Sequence, residues 1–139
     1  MIRKAKLEDI DELMPLFRVA HQNTMFKNTS FNEWQIRRML SFGVCMPNFF
    51  CEVVEHKGKI VGVMGGGVDK NVWGCKIASD VIFYSTRSTD KLLKRFHIWA
   101  EEQDAEMVNI TSLVVNERYD NLLMKLGYKK AGQVFAREV

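Results

Sequence analysis

The spacing of apolar positions changes along the chain, and each change marks an element. Ile2 to Ala5 alternates, which predicts a short first strand. From Leu7-Glu8-Asp9 onward, Ile10, Leu13, Met14, Phe17 and Ala20 recur every three or four residues, the period of one helix face. Pro15 falls inside that pattern and predicts a kink or a late helix start, because proline lacks the amide and crowds the preceding turn. Asn28-Thr29-Ser30 is a turn-and-cap cluster. Ser30 with Glu33 fits a capping box, and the helix after it is expected to bury Trp34, Met39 and Leu40.

Phe49 to Glu55 and Lys59 to Val68 are apolar runs joined by His56-Lys57-Gly58, a hairpin signal. Gly65-Gly66-Gly67 lies late in the second run, and glycine inside a strand marks a bulge or a close backbone approach. Asp69-Lys70-Asn71 reads as a turn and Cys75 to Tyr84 as a further strand. Leu92, Leu93, Phe96, Trp99 and Ala100 give the next helix its apolar stripe, with Thr89 or Asp90 as the cap. Met107 to Leu113 reads as a strand, and Asn116 to Leu126 as a short helix ended by Gly127. Tyr128 to Ala131 and Gln133 to Glu138 read as a final hairpin about Gly132. This order predicts one α/β domain over residues 1–139. Its single mixed, mostly antiparallel twisted sheet would have about six to seven strands, with about four helices on its two faces.

Composition narrows the picture. A chain of 139 residues buries an ordinary core without staples. A net charge of +3 is too small to argue for nucleic acid, and Glu101, Glu102, Asp104 and Glu106 directly follow the basic group Arg87, Lys91, Lys94 and Arg95. No apolar run approaches the roughly 20 residues that span a bilayer. Met1 to Lys6 has no apolar signal-peptide core behind it, which reads as cytoplasmic. Cys45, Cys51 and Cys75 lack Cys-x-x-Cys spacing, so neither a disulfide framework nor a zinc site follows, and they read as buried reduced thiols.

Candidate chemistry concentrates between Ser79 and Glu102, where a strand, a hydroxyl- and base-rich turn and a helix follow one another. Free amides at a helix N-terminus after a strand favour an anion, most often phosphate, and Arg87 and Lys91 add charge there. Asp80, among Ile77, Ala78, Val81 and Ile82, should have its pKa raised by desolvation, which suits a base near neutral pH; a strand-edge Asp paired with Lys76 or solvated is the plainer alternative. Glu52 is the other strand carboxylate. His21 falls at the end of the first helix, where a surface or capping role is the plainer reading.

The order of elements and several local phrases resemble the Gcn5-related N-acetyltransferase superfamily over essentially the whole chain. The phrases are Ile2-Arg3-Lys4-Ala5 with Leu7-Glu8-Asp9, Gly58-Lys59-Ile60-Val61-Gly62, Trp99-Ala100-Glu101-Glu102-Gln103, Asn116-Glu117-Arg118, and Lys125-Leu126-Gly127-Tyr128. The flavour is that of the small acetyltransferase-like proteins of phages and bacteria. The resemblance implies an acetyl-CoA-dependent N-acetyltransferase acting on an unidentified small-molecule or peptide amine, with dimers common. It implies a pantetheine arm against backbone at Phe83, Tyr84 and Ser85 and near Asn116, which an N-cap role would also explain. The pyrophosphate would lie at Arg87, Ser88, Thr89 and Lys91, and Asp80 would be the base.

Two departures stand out. The family's glycine-rich pyrophosphate loop is replaced by Arg87-Ser88-Thr89-Asp90-Lys91, about three residues shorter and without glycine. The family's acid, a tyrosine five residues before the closing aromatic, falls at Leu123, which leaves Tyr119 or Tyr84 as substitutes. These departures motivate an alternative: a fold that kept its shape and became a binding or virion-associated structural module.

Overall fold

The computed structural model describes residues 1–111 and 117–139. Strand β1 (Ile2–Lys4) leads through a 3-10 turn at Leu7–Asp9 into α1 (Ile10–Gln22) and α2 (Glu33–Gly43). Then come β2 (Phe49–His56), β3 (Lys59–Lys70), β4 (Lys76–Ser85), α3 (Thr89–Glu102), β5 (Met107–Asn109) and α4 (Glu117–Lys125). The strands form one sheet in the order β1-β2-β3-β4-β5, antiparallel except for the parallel β4–β5 pair.

Alternation along the strands builds two cores. Cys51, Val53 and Val63 point to one face, where Leu13, Met14 and Phe17 of α1 and Leu40 of α2 cover them. Phe50, Val54, Met64 and Ala78 point to the other face, against Leu92, Leu93, Phe96 and Ala100 of α3 and Leu123 of α4. The two faces of one pleated sheet are thereby buried by helices of opposite sequence halves.

Local chemistry explains the boundaries. Arg3 holds both carboxylate oxygens of Asp9, at 2.8 and 3.0 Å, and its Nε reaches Glu55 at 3.1 Å, which ties β1 to the start of α1 and to β2. The helix is continuous through Pro15, and its late start at Ile10 places the proline in the second turn. Lys57 and Gly58 both have positive φ, the requirement of a two-residue type I′ hairpin between twisted strands. Gly127, at φ 91°, ends α4, and the Tyr128 amide returns to the Leu123 carbonyl at 3.0 Å.

Several expectations are corrected. The sheet has five strands among the described residues, and residues 128–139 form no regular element. Val134 and Phe135 of that segment are 71% and 89% exposed, so the expected closing hairpin has no apolar face to bury, and an isolated hairpin is marginal in water. Asn32, not Ser30, caps α2: its Oδ1 accepts from the Gln35 amide at 3.0 Å. Trp34 faces outward, 64% exposed beneath the Arg38 guanidinium, while Leu40 is fully buried; six residues apart, the two point about 120° apart around an α-helix. Thr89 and Asp90 lie inside α3, whose N-cap is Ser88. Only Cys51 of the three thiols is buried, and burial pushes its pKa up to about 12.

Candidate active site

The glycine triplet and the parallel strand pair together open a wedge in the sheet. Register slips between Gly65 and Gly66, which pair with Ile82 and Asp80, so Val81 is an extra residue that bulges β4. At Gly66 a Cβ would lie 2.6 Å from the Phe96 ring and from the Ser79 carbonyl, so only glycine lets α3 approach the sheet this closely. Strands β4 and β5 pair over just three positions, Ile77 with Met107 to Ser79 with Asn109. Asp80 is the next residue on β4. Its Oδ1 accepts the Thr111 amide at 2.9 Å, replacing with a side chain the ladder bond lost where the strands part.

A cavity of about 1050 Å³ opens at that point. It runs from Asp80 and Thr111 along β4, past Phe83, Tyr84 and Ser85, to the first turn of α3. One wall is α4, through Arg118, Asn121, Leu122 and Lys125, which share a face at helical spacing. The end of α1 supplies Ala20, followed by Asn23 and Thr24.

Electrostatics grade this cavity from end to end. Burial lifts the Asp80 carboxyl from 3.8 to about 6, against the opposing pull of the Thr111 amide and its own backbone amide. Tyr119, edge-on to Phe83 with ring centroids 5.7 Å apart, is held neutral: burial first, then the negative charge of Asp80, raises its phenol. Tyr128 shifts the same way for the same two reasons. Arg87 lines the cavity beside the first turn of α3, and Arg118 and Lys125 line its α4 wall, with Asp80 and Asp90 as the two carboxylates of the lining.

The turn into α3 is shaped without glycine. Ser85 Oγ donates to the Arg87 carbonyl and accepts the Arg87 amide at 3.2 Å, while Thr86 donates its amide and hydroxyl to the Val61 carbonyl, each at 3.2 Å. Ser88 then takes φ 54°, ψ 32°, a left-handed conformation unusual for serine. The first amide of α3 with a partner is that of Leu92, on the Ser88 carbonyl at 3.0 Å. The amides of Thr89, Asp90 and Lys91 have no acceptor among the described residues.

No protein-family model matches the sequence, and no curated protein matches it. Solved structures do. A ribosomal-protein-alanine N-acetyltransferase from Brucella melitensis biovar Abortus 2308 superposes with a TM-score of 0.73 at 15% identity, over 100% of this chain and 99% of that one. A glucosamine-6-phosphate N-acetyltransferase from Arabidopsis thaliana gives 0.74 at 13%, over 99% and 97%. A predicted acetyltransferase from Clostridium acetobutylicum, solved with acetyl-CoA, gives 0.74 at 12%, over 99% and 95%. This is the fold of the Gcn5-related N-acetyltransferases.

On the acetyltransferase fold the expected site residues divide. Asp80, Phe83, Tyr84, Ser85, Arg87, Ser88, Thr89 and Tyr119 converge on one cavity. Lys91 does not: it faces a separate cleft on the other side of α3. Asn116 lies outside the described residues. Leu123, at the position of the family's tyrosine, is core, 8% exposed. Glu52 is buried and held by both Nε and Nη2 of Arg95, so it faces α3 and not the cavity. His21 sits against Phe31 and 3.4 Å from Thr29 Oγ1, beside the cavity wall but not on it. Sequence reasoning missed Asn121 and Lys125 as wall residues and gave Arg118 no place in the site. The signal was present: Arg118, Asn121 and Lys125 fall at i, i+3 and i+7, a polar stripe beside the apolar positions Leu122, Leu123 and Leu126.

Proposed function

We propose that the protein transfers an acetyl group from acetyl-CoA to an amine. The observation that carries this reading is Asp80: a carboxylate raised to about 6, at the point where β4 and β5 part, in a cavity also lined by Arg87, Arg118 and Lys125. Free amides at Thr89 and Asp90, with Arg87, Arg118 and Lys125, form a donor set that fits a pyrophosphate. The backbone of Phe83 to Ser85, which among the described residues has no pairing on the β5 side of β4, would offer donors and acceptors to a pantetheine amide.

Acetyl-CoA would supply the acyl thioester. Asp80, ionised above about pH 6, accepts the proton that an ammonium must lose before its nitrogen can attack a carbonyl. The bulge at Val81 interrupts the ladder beside Asp80, and a backbone amide of β4 would support the developing oxyanion. Tyr119, which lines the cavity and keeps its proton at working pH, would be the candidate to protonate a departing thiolate. Asn23 and Thr24, opposite, provide uncharged hydrogen-bonding groups for the acceptor.

The alternative of a chemically silent module expects Phe83 or Tyr84 to fill the wedge between the strands; both instead line an open cavity, which favours the enzyme. Thermal unfolding with and without acetyl-CoA tests the reading. Ligand at about 100 times its dissociation constant adds about 2.7 kcal/mol, several degrees for a domain of this size. An unchanged transition at millimolar acetyl-CoA refutes it.

A further inference from the structure

The α1 side of the cavity has a hydrogen-bonding character that its residue types alone do not show. Thr24 Oγ1 donates to the His21 carbonyl at 2.9 Å and accepts the Phe26 amide at 3.2 Å, so its one proton is spent inside the turn. Asn23 Nδ2 donates to the Val19 carbonyl at 2.9 Å, which fixes the side-chain amide and leaves Oδ1 without a hydrogen-bond partner among the described residues. The turn itself is closed by the Lys27 amide on the Thr24 carbonyl at 3.2 Å and by Thr29 Oγ1 on the Phe26 carbonyl at 2.7 Å.

An amide oxygen has two lone pairs and a hydroxyl oxygen two. This wall therefore keeps three unused acceptor sites, on Asn23 and Thr24, against one spare Asn23 N–H. It matches a ligand that brings donors. A carboxylate on the ligand would set lone pair against lone pair, and an alkyl group would cover Asn23 Oδ1 without bonding it. The rest of this part of the lining is apolar: Ala20, Ile82 and the bulged Val81, whose side chain is 56% exposed.

We propose that the acceptor is a small amine that carries, close to its nitrogen, an uncharged hydrogen-bond donor, a hydroxyl or an amide N–H. Asn23 Oδ1 receives that donor, and the carbon skeleton lies on Val81 and Ile82. The inference names a substrate class for the acetyl-CoA reading and rests on it. Its two sources are a free amino alcohol and the N-terminus of a peptide, whose first amide N–H is such a donor.

Free-thiol release from acetyl-CoA is measured with alaninol, sec-butylamine, alanine and alanyl-alaninamide, each rate being referred to the unprotonated amine. Sec-butylamine replaces the hydroxyl of alaninol by methyl, and alanine replaces it by a carboxylate. In kcat/KM the wild type should prefer alaninol to sec-butylamine by about three- to tenfold, the size of one neutral hydrogen bond, and should use alanine least. Asn23→Leu should bring the alaninol to sec-butylamine ratio to about one, whereas Asn23→Asp, which also loses the bond to Val19 but keeps an oxygen, should preserve it. A wild-type ratio near one, a ratio that survives Asn23→Leu, or a preference for alanine overturns the proposal. With the ratio upheld, alanyl-alaninamide faster than alaninol identifies the peptide source, and slower the free amine. If none of the four releases thiol although acetyl-CoA raises the melting temperature, this inference fails and the acetyl-CoA reading stands. If acetyl-CoA leaves melting unchanged, both fail.

Discussion

Replacing Asp80 by asparagine tests the centre of the proposed chemistry, first by stability, which needs no acceptor, and then by turnover once an acceptor is in hand. Folding raises this carboxyl from 3.8 to about 6, so the folded state favours the protonated form. The resulting contribution to stability is complete below the unfolded value and is lost as pH rises through about 6. The shift from 3.8 to about 6 corresponds to roughly 3 kcal/mol between the two protonation states. The amide of Asp80→Asn cannot ionise, and its oxygen can still accept the Thr111 N–H that the carboxylate accepts at 2.9 Å. Melting curves of the two proteins across the acid-to-neutral range should therefore diverge. The variant gains on the wild type as pH rises, by up to about 3 kcal/mol, or about 6–12 °C at this chain length. Asp80→Ala behaves differently, since it orphans the Thr111 amide at a cost of about 1–3 kcal/mol at every pH. In a coupled assay for free thiol, kcat/KM of the wild type should rise through about pH 6 and level off, and Asp80→Asn should lose that limb with about 100-fold or more of the rate. Parallel melting curves would refute the desolvation argument, and an unaltered pH–rate profile would refute the assignment of the base.

Other consequences are as direct. Gly66→Ala drives a methyl to within 2.6 Å of Phe96 and of a backbone carbonyl, and urea unfolding should register a loss of about 1–3 kcal/mol. Gly67→Ala, where a Cβ meets nothing closer than 3.8 Å, should cost much less. Arg95→Met leaves Glu52 buried without its partner; because the Arg95 side chain is itself 48% exposed, a loss of about 2 kcal/mol is expected in the same measurement, below the range for a fully buried pair. Ser88 holds a left-handed φ, so Ser88→Val should fall below Ser88→Gly by about 1–2 kcal/mol in thermal stability, and equal stabilities would show that the turn relaxes.

Much of the architecture follows from local pattern. The three- and four-residue repeat of Ile10 to Ala20 places α1, and the positive-φ pair Lys57-Gly58 sets the β2–β3 hairpin, because periodicity and turn chemistry act within a few residues. Gly65 to Gly67 signalled a bulge or a close approach: the close approach is found at Gly66, against Phe96 and the Ser79 carbonyl, and the bulged residue opposite the glycines is Val81 of the partner strand. The start and buried face of α2 were not legible: Asn32 rather than Ser30 caps it, since competing caps differ little in free energy, and packing through Leu40 leaves Trp34 in solvent. Nor could sequence spacing divide the basic residues of α3. Arg87 and Lys91 are one helical turn apart in the sequence, yet one lines the Asp80 cavity and the other faces away, because the packing of Leu92, Leu93 and Phe96 on the sheet fixes the rotation of the helix. The spacing of Arg118, Asn121, Leu122 and Lys125 puts them on one face of α4, but only tertiary structure brings that face to the cavity that Arg87 also lines, once Leu123 is buried against α3 and the sheet. Apolar periodicity is a property of a segment and survives in the sequence; a site is a meeting of segments, and the cores that bring them together decide which charges share it.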